Sequence, residues 1–257
     1  MSFLYRCTPA ALALAAAVIF CPACSQRGAN ADFYYPIDDL EDGLVYAYES
    51  VDSPPLAPYA WYFRSVVTPD STVLASTRYD HYYEPRQFAN ERIVASGSLL
   101  RDLRVFTPTD SASTEVQAEI LSPALFSFEP PEASRVLINS VRLQLPQVVE
   151  EGQADSLGFR QNPPPPDTYT LTRNRSYLRD TTWTGLGQTH DAQLWRVREL
   201  TEQDRDGTLG IETETLEVYA EDIGLVYTER RYSNGARERY QLAERFVMDT
   251  LVARAGQ

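Results

Sequence analysis

The chain of 257 residues carries 36 acidic and 23 basic side chains, which gives a formal net charge of −13. It contains no lysine, so Schiff-base catalysis and a Walker-type phosphate loop are excluded, since both need that residue. A surface this acidic repels phosphate backbones, and nucleic-acid binding is therefore not expected. Two explanations of the composition stay open: adaptation to concentrated salt, or a GC-rich genome that favours arginine codons.

The first 23 residues have the features of a secretory signal peptide. A short start that holds Arg6 precedes an apolar run, 10–20, that is too short to span a bilayer. We therefore expect residues 1–23 to direct the chain across the inner membrane and to be removed. An uncleaved N-terminal anchor is the alternative.

Cys24 is the expected site of lipid attachment. It follows the small residue Ala23, as cleavage before an acylated cysteine requires, whereas Cys21 follows a bulky phenylalanine. Acyl chains such as palmitate would tether the protein to a membrane, and the outer membrane is the expected one. The sequence does not distinguish its periplasmic face from its surface face. An ordinary secreted protein is the alternative. Since Cys7 and Cys21 leave with the signal peptide, no thiol remains for a disulfide or a zinc site.

Beyond the anchor, the composition changes near residue 43. Residues 24–42 are small, polar and acidic, which predicts a flexible tether. From 43 to 257, short segments rich in Val, Tyr, Thr and Phe alternate with turn residues, which predicts a single β-rich domain. Segment 148–167 holds four consecutive prolines and favours a loop within this domain. A linker between two domains and a segment for a proline-binding partner are the alternatives.

The alternating pattern predicts an all-β fold built mainly from antiparallel strands. We expect a curved sheet or an open half-barrel with few short helices, one of them in the terminal stretch "LAERFVMDTLVARAG". Two similar phrases, "EDGLVYAYES" and "EDIGLVYTER", each place an acidic turn and a glycine before an alternating run. We interpret them as two strand starts, with an internal repeat as the alternative. Near the second phrase, Asn234 and Gly235 predict a two-residue hairpin turn that pairs Tyr227 with Leu242.

Two parts of the chain resemble a family of bacterial cell-envelope lipoproteins of uncharacterised activity. These parts are the lipoprotein-type signal and the stretch 195–246, in which "IGLVYTE" and "YQL" form a GLV-type closing hairpin. Such sheets are similar in architecture to the half-barrel of the periplasmic lipoprotein carriers, which hold acyl chains against a concave apolar face. The resemblance implies a non-enzymatic envelope lipoprotein that is structural or binds a lipid, a lipoprotein or a glycan. It brings no catalytic residue with it.

Aromatic side chains are the strongest candidates for contact with a ligand. Six of them are singled out: Tyr46, Tyr48, Tyr59, Trp61, Phe63 and Trp195. Strand alternation places the three from 59 to 63 on one face, and likewise the two from 46 to 48. They either fill a core or line a concave pocket for an acyl chain, a sugar or a peptide.

No cofactor or metal site is expected. The chain has two histidines, too few for a three-histidine site, and it lacks the G-x-S-x-G and H-E-x-x-H motifs. A hypothesis from a different class is a carboxylate-dependent hydrolase of envelope polymer, which needs two carboxylates facing each other across a cleft.

The lipid-anchor prediction assigns acylation to Cys24 and not to the nearby Cys21. Cys24→Ser should abolish labelling of the protein by radioactive palmitate and its partition into a detergent phase, because the acceptor thiol is lost. Cys21→Ser serves as the matched control and should leave both unchanged. Labelling that survives Cys24→Ser but not Cys21→Ser would contradict the assignment.

Overall fold

The computed structural model describes residues 28, 30–108, 113–132, 134–145, 167–203 and 210–256. The predicted signal peptide, the predicted lipidation site Cys24 and almost all of the proline-rich segment 148–167 lie outside the described residues.

Within the described residues, thirteen strands form one sheet in which every neighbouring pair is antiparallel. The strands are β1 (Leu44–Ser50), β2 (Tyr59–Val67), β3 (Thr72–Tyr79), β4 (Pro85–Val94), β5 (Gly97–Pro108), β6 (Ser113–Gln117), β7 (Glu119–Ser127), β8 (Val136–Leu145), β9 (Asp167–Gly185), β10 (Gln188–Gln203), β11 (Gly210–Ala220), β12 (Gly224–Tyr232) and β13 (Arg237–Phe246). Short 3-10 helices, Ala31–Phe33 and Ile37–Leu40, precede the sheet, and the helix α1, Met248–Ala255, follows it. The predicted all-β, mainly antiparallel fold with few short helices is confirmed.

The sheet closes on itself through the pairing of β4 with β5. The order around the ring is β4-β3-β2-β1-β13-β12-β11-β10-β9-β8-β7-β5, and the register from Gln87 opposite Val105 to Val94 opposite Gly97 joins its two edges. The strands β6 and β7 lie end to end along β5, so the ring is a closed barrel of twelve strands. The sheet thus curves further than an open half-barrel, because a tight β4–β5 connection brings its edges together.

The barrel has two distinct ends. At one end β1 begins and β13 finishes, with Val45 opposite Phe246. The β12–β13 turn lies at the other end, which we call the far end. On the outside, Leu251 of helix α1 packs against Val45 and Ala60. No helix in the described part of the chain is long and apolar enough to cross a membrane.

Residues 30–40, which we call the N-terminal plug, fill the end of the barrel where β1 begins. Tyr34, Ile37 and Leu40 are 4%, 1% and 0% exposed. The backbone N–H of Asn30 donates to the carbonyl of Phe128 at 3.1 Å. The prediction of a flexible tether over 24–42 is wrong for this part of it, because its apolar side chains supply core that the strands leave unfilled.

The two similar phrases are strand starts, as predicted, and their glycines have a shared role. Gly43 precedes β1 with φ of +80°, and Gly224 opens β12 with φ of +96°. A Cβ atom on Gly224 would lie 2.5 Å from Cδ1 of Tyr35 in the N-terminal plug. Glycine is therefore required there both for the left-handed backbone and for the close approach of the plug.

The β12–β13 hairpin has a different turn from the predicted one. The N–H of Tyr232 donates to the carbonyl of Ala236 at 3.0 Å, which makes a three-residue loop with Gly235 at φ of +84°. Tyr227 consequently lies opposite Gln241 and not Leu242. A shift of one residue exchanges the two faces of a strand. In the observed register, side chains that the predicted pairing did not combine lie together on the inward face: Thr228 and Arg230 of β12 with Glu238 and Tyr240 of β13.

The N-terminal plug is expected to contribute to folding stability. Leu40→Ala should lower the free energy of unfolding by about 2–5 kcal/mol, because it leaves a cavity in a fully buried site. Val66→Ala, at a strand position that is 47% exposed, is the matched control and should change it by less than about 0.5 kcal/mol. Urea denaturation of the two variants measures the difference. Equal effects would mean that residues 30–40 do not pack in solution.

Candidate functional site

A cavity of about 310 Å³ lies inside the barrel, between the N-terminal plug and the far end. A ring of about eight strands is just narrow enough for its own side chains to fill. Twelve strands enclose more space, and the plug occupies only one end of it. The volume falls at the lower limit of small-molecule sites, which is about 300 Å³.

One side of the cavity is lined by aliphatic side chains, which we call the apolar wall. It comprises residues from β4, β5, β7, β8 and β9: Ala89, Leu100, Leu103, Val105, Leu125, Val141, Leu143 and Leu171. Leu103 and Val141 belong to a packed cluster of their own, separate from the aromatic cluster around the plug. The wall can therefore contact an apolar ligand without rearrangement of the rest of the core.

The opposite side, which we call the polar arc, carries charged and hydroxyl side chains. It comprises residues from β9 to β13: Arg173, Arg175, Glu199, Thr215, Glu217, Thr228, Arg230 and Glu238. The guanidinium of Arg173 donates through Nε to Glu199 at 2.6 Å, and Nη2 of Arg230 lies 3.8 Å from the same carboxylate. Nη2 of Arg175 donates to Glu217 at 2.8 Å.

These ion pairs determine the charge states of the polar arc. Burial raises the pKa of Glu199, but the charges of Arg173 and Arg230 outweigh burial and lower it below the ordinary value. Burial lowers the pKa of Arg175, but the charge and hydrogen bond of Glu217, together with Tyr219 and Tyr34, outweigh burial and raise the pKa above its ordinary value. Both carboxylates are thus engaged by arginine. Within the described ranges, no group of three or more His, Cys, Asp or Glu side chains could hold a metal ion.

Glu91 of β4 also lines the cavity, but hydroxyl groups hold it. Tyr34 and Ser98 both donate to its Oε2 atom. Burial raises the pKa of Glu91 above its ordinary value, and the hydrogen bonds from Ser98 and Tyr34, with the charge of Arg175, only partly oppose this. Because Tyr34 belongs to the N-terminal plug, this contact joins the plug to the barrel wall.

The structure divides the six predicted aromatic residues into two groups. Tyr59, Trp61 and Phe63 of β2 line the cavity. Tyr46 and Tyr48 of β1 are fully buried behind them. Tyr48 stacks on Tyr59 with centroids 5.0 Å apart, and Tyr46 meets Phe63 edge to face at 5.2 Å.

The sixth aromatic residue, Trp195, is 3% exposed and packs on Phe126, with their ring centroids 5.2 Å apart. It is a core residue and does not line the cavity. Three of the six candidates are therefore core, because the plug and the neighbouring rings cover them. Contact of the other three with a ligand remains a prediction.

The arginines of the cavity are the residues that sequence reasoning missed. In "LTRNR", alternation already places Leu171, Arg173 and Arg175 on one face of a strand. Two arginines on the same face as a leucine indicate that this face is not an ordinary apolar core face. It points either to solvent or into a polar interior. Only the closure of the ring decides between these two environments.

Two solved structures share this fold. One is a protein of Parabacteroides distasonis ATCC 8503, provisionally described as a lipoprotein; the TM-score is 0.50 and the identity 12%, over 82% of this chain and 95% of that one. The other is a protein of Bacteroides fragilis NCTC 9343, provisionally described as an exported protein with a YmcC-like fold; the TM-score is 0.51 and the identity 12%, over 83% and 99%. No family model matches the chain, and no curated protein matches its sequence. At this identity the likeness concerns the fold alone.

The position of Glu91 predicts a pH-dependent penalty on stability. With a pKa that is raised in the folded state, the folded protein binds more protons than the unfolded chain, so stability falls as the pH rises from about 4.5 through the raised value. Glu91→Gln keeps an acceptor for Tyr34 and should become progressively more stable than the parent over that window.

The matched control is Glu49→Gln, at an exposed position of β1. Its stability should follow that of the parent across the same window. Urea midpoints between pH 4 and pH 8 measure both variants. A difference between Glu91→Gln and the parent that does not change with pH would contradict the assignment.

Proposed function

We propose that the protein is a non-enzymatic lipoprotein of the cell envelope that binds an apolar or amphipathic envelope component inside its barrel. The observation that carries the proposal is the cavity itself, which joins an apolar wall to a polar arc inside the barrel. A barrel with a purely structural role gains nothing from leaving such a space unfilled, because close packing is the more stable arrangement.

The sequence features of a signal peptide and of lipidation at Cys24 support the envelope location. The two proteins that share the fold are provisionally described as a lipoprotein and as an exported protein, which agrees with that location. Asn30 follows Cys24 by six positions, so even a fully extended chain keeps the plugged end within about 20 Å of the anchor. The plugged end would then face the membrane, with the outer membrane as the expected one.

The hydrolase hypothesis receives less support. It needs one carboxylic acid and one free carboxylate across the cavity. Glu199 and Glu217 are both bound by arginine, so neither is free to activate water or to attack a substrate.

Native mass spectrometry tests the proposal. The chain from Ser25 onward keeps the whole described core, which runs from Tyr34 to Leu251. Secreted by a bacterial host and purified without detergent, it should carry a bound lipid or glycan of defined mass that is released on collisional activation.

Two variants on β7 test whether the bound ligand lies in the cavity. Leu125 lines the cavity, so Leu125→Trp should narrow it and reduce the fraction of protein that carries the bound mass. Leu121 is 43% exposed on the same strand, so Leu121→Trp should keep the bound mass. A parent protein that carries no ligand would instead favour a scaffold or interaction role.

A further inference from the structure

We propose that the ligand is a single-chain anionic amphiphile, such as a long-chain fatty acid, whose alkyl chain lies along the apolar wall and whose anionic group binds Arg78. This inference rests on the proposed function and narrows its ligand to one chemical class.

The apolar wall extends along the barrel axis. Val105, Leu143 and Leu171 lie toward the far end, because their strands finish or begin there, at Pro108, Leu145 and Asp167. Leu100 and Leu125 lie toward the N-terminal plug. A linear alkyl chain that lies along the barrel axis can therefore contact aliphatic side chains along its length, whereas a hydrated sugar would leave the wall without a matching partner.

Arg78 is an exposed residue at the edge of this wall, and its guanidinium forms no ion pair with the residues that the structure describes. It projects from β3 into the cavity lining, next to β4, and its Cζ atom lies 4.7 Å from the ring centroid of Tyr59. Among the described residues, no carboxylate oxygen forms an ion pair with Arg78. A cation–π contact of this kind uses none of the N–H donors of the guanidinium, so a carboxylate can accept two hydrogen bonds from it.

The other arginines near the far end are already engaged. Arg173 and Arg230 share the carboxylate of Glu199, and Glu238 adds a second negative charge beside Arg230. Counting Arg78, this part of the cavity has three positive and two negative side chains, within a chain of net charge −13. An anion that the rest of the surface repels therefore meets a local positive excess here.

Calorimetric titration with two ligands of equal chain length tests the inference. Sodium laurate at pH 8 is anionic and dodecan-1-ol is uncharged, and both are kept below the concentration at which they aggregate. The chain from Ser25 onward should bind laurate more tightly than dodecan-1-ol. Shortening the carboxylate ligand should weaken binding by about fourfold per methylene, since each buried methylene contributes about 0.8 kcal/mol.

Two arginine variants distinguish binding through the charged headgroup from binding through the alkyl chain. Arg78→Gln should weaken laurate binding by about tenfold and leave dodecan-1-ol binding unchanged, because only the charged headgroup loses its partner. Arg92→Gln, at an exposed position on the neighbouring strand β4, makes the same change of charge away from the cavity and should alter neither. Equal urea midpoints of the two variants would show that folding is not the cause.

The outcomes distinguish this inference from the proposed function. If laurate and dodecan-1-ol bind equally and Arg78→Gln affects neither, the anionic class is wrong while binding in the barrel stands. If neither amphiphile binds although the purified protein carries a glycan, the inference fails and the proposed function stands. If neither binds and the purified protein carries no ligand, both fail.

Discussion

The closure of twelve strands into one ring determines what the rest of this protein has to do. A barrel of that size is wider than its inward side chains can fill, and an empty apolar interior is unfavourable because the side chains that line it lose their contacts. The N-terminal plug solves this at one end, where Tyr34, Ile37 and Leu40 complete the core. The cavity lies between this plug and the far end.

Charges can occupy this interior because several of them pair with an opposite charge on a nearby strand. Arg173 and Glu199 stand directly opposite each other on β9 and β10, so the pair forms wherever that register forms. Arg175 reaches across β10 to Glu217 on β11, and both side chains are only about 15% exposed, at 16% and 14%. Breaking such a buried pair leaves an uncompensated charge, which is costly. The polar arc is therefore a fixed part of the lining.

The two sides of the cavity consequently differ, with most of the aliphatic side chains on β4 to β9 and most of the charged ones on β9 to β13. An amphiphile matches this division better than a wholly apolar or wholly polar molecule. The two proteins that share the fold share the scaffold at 12% identity, and a scaffold does not specify what it binds. Any specificity of this chain resides in the side chains that line its own cavity.

The sequence by itself determined the all-β class, the antiparallel pairing, the strand starts at Gly43 and Gly224 and the terminal helix, because these follow from alternation and turn residues that act over a few positions. It also contained three of the seven aromatic residues in the described lining of the cavity, Tyr59, Trp61 and Phe63. Only the tertiary structure decided that residues 30–40 are core and not tether, that Trp195 is buried, and which face of β12 looks inward. Those outcomes depend on a one-residue register and on ring closure between β4 and β5, and local patterns carry no information about either.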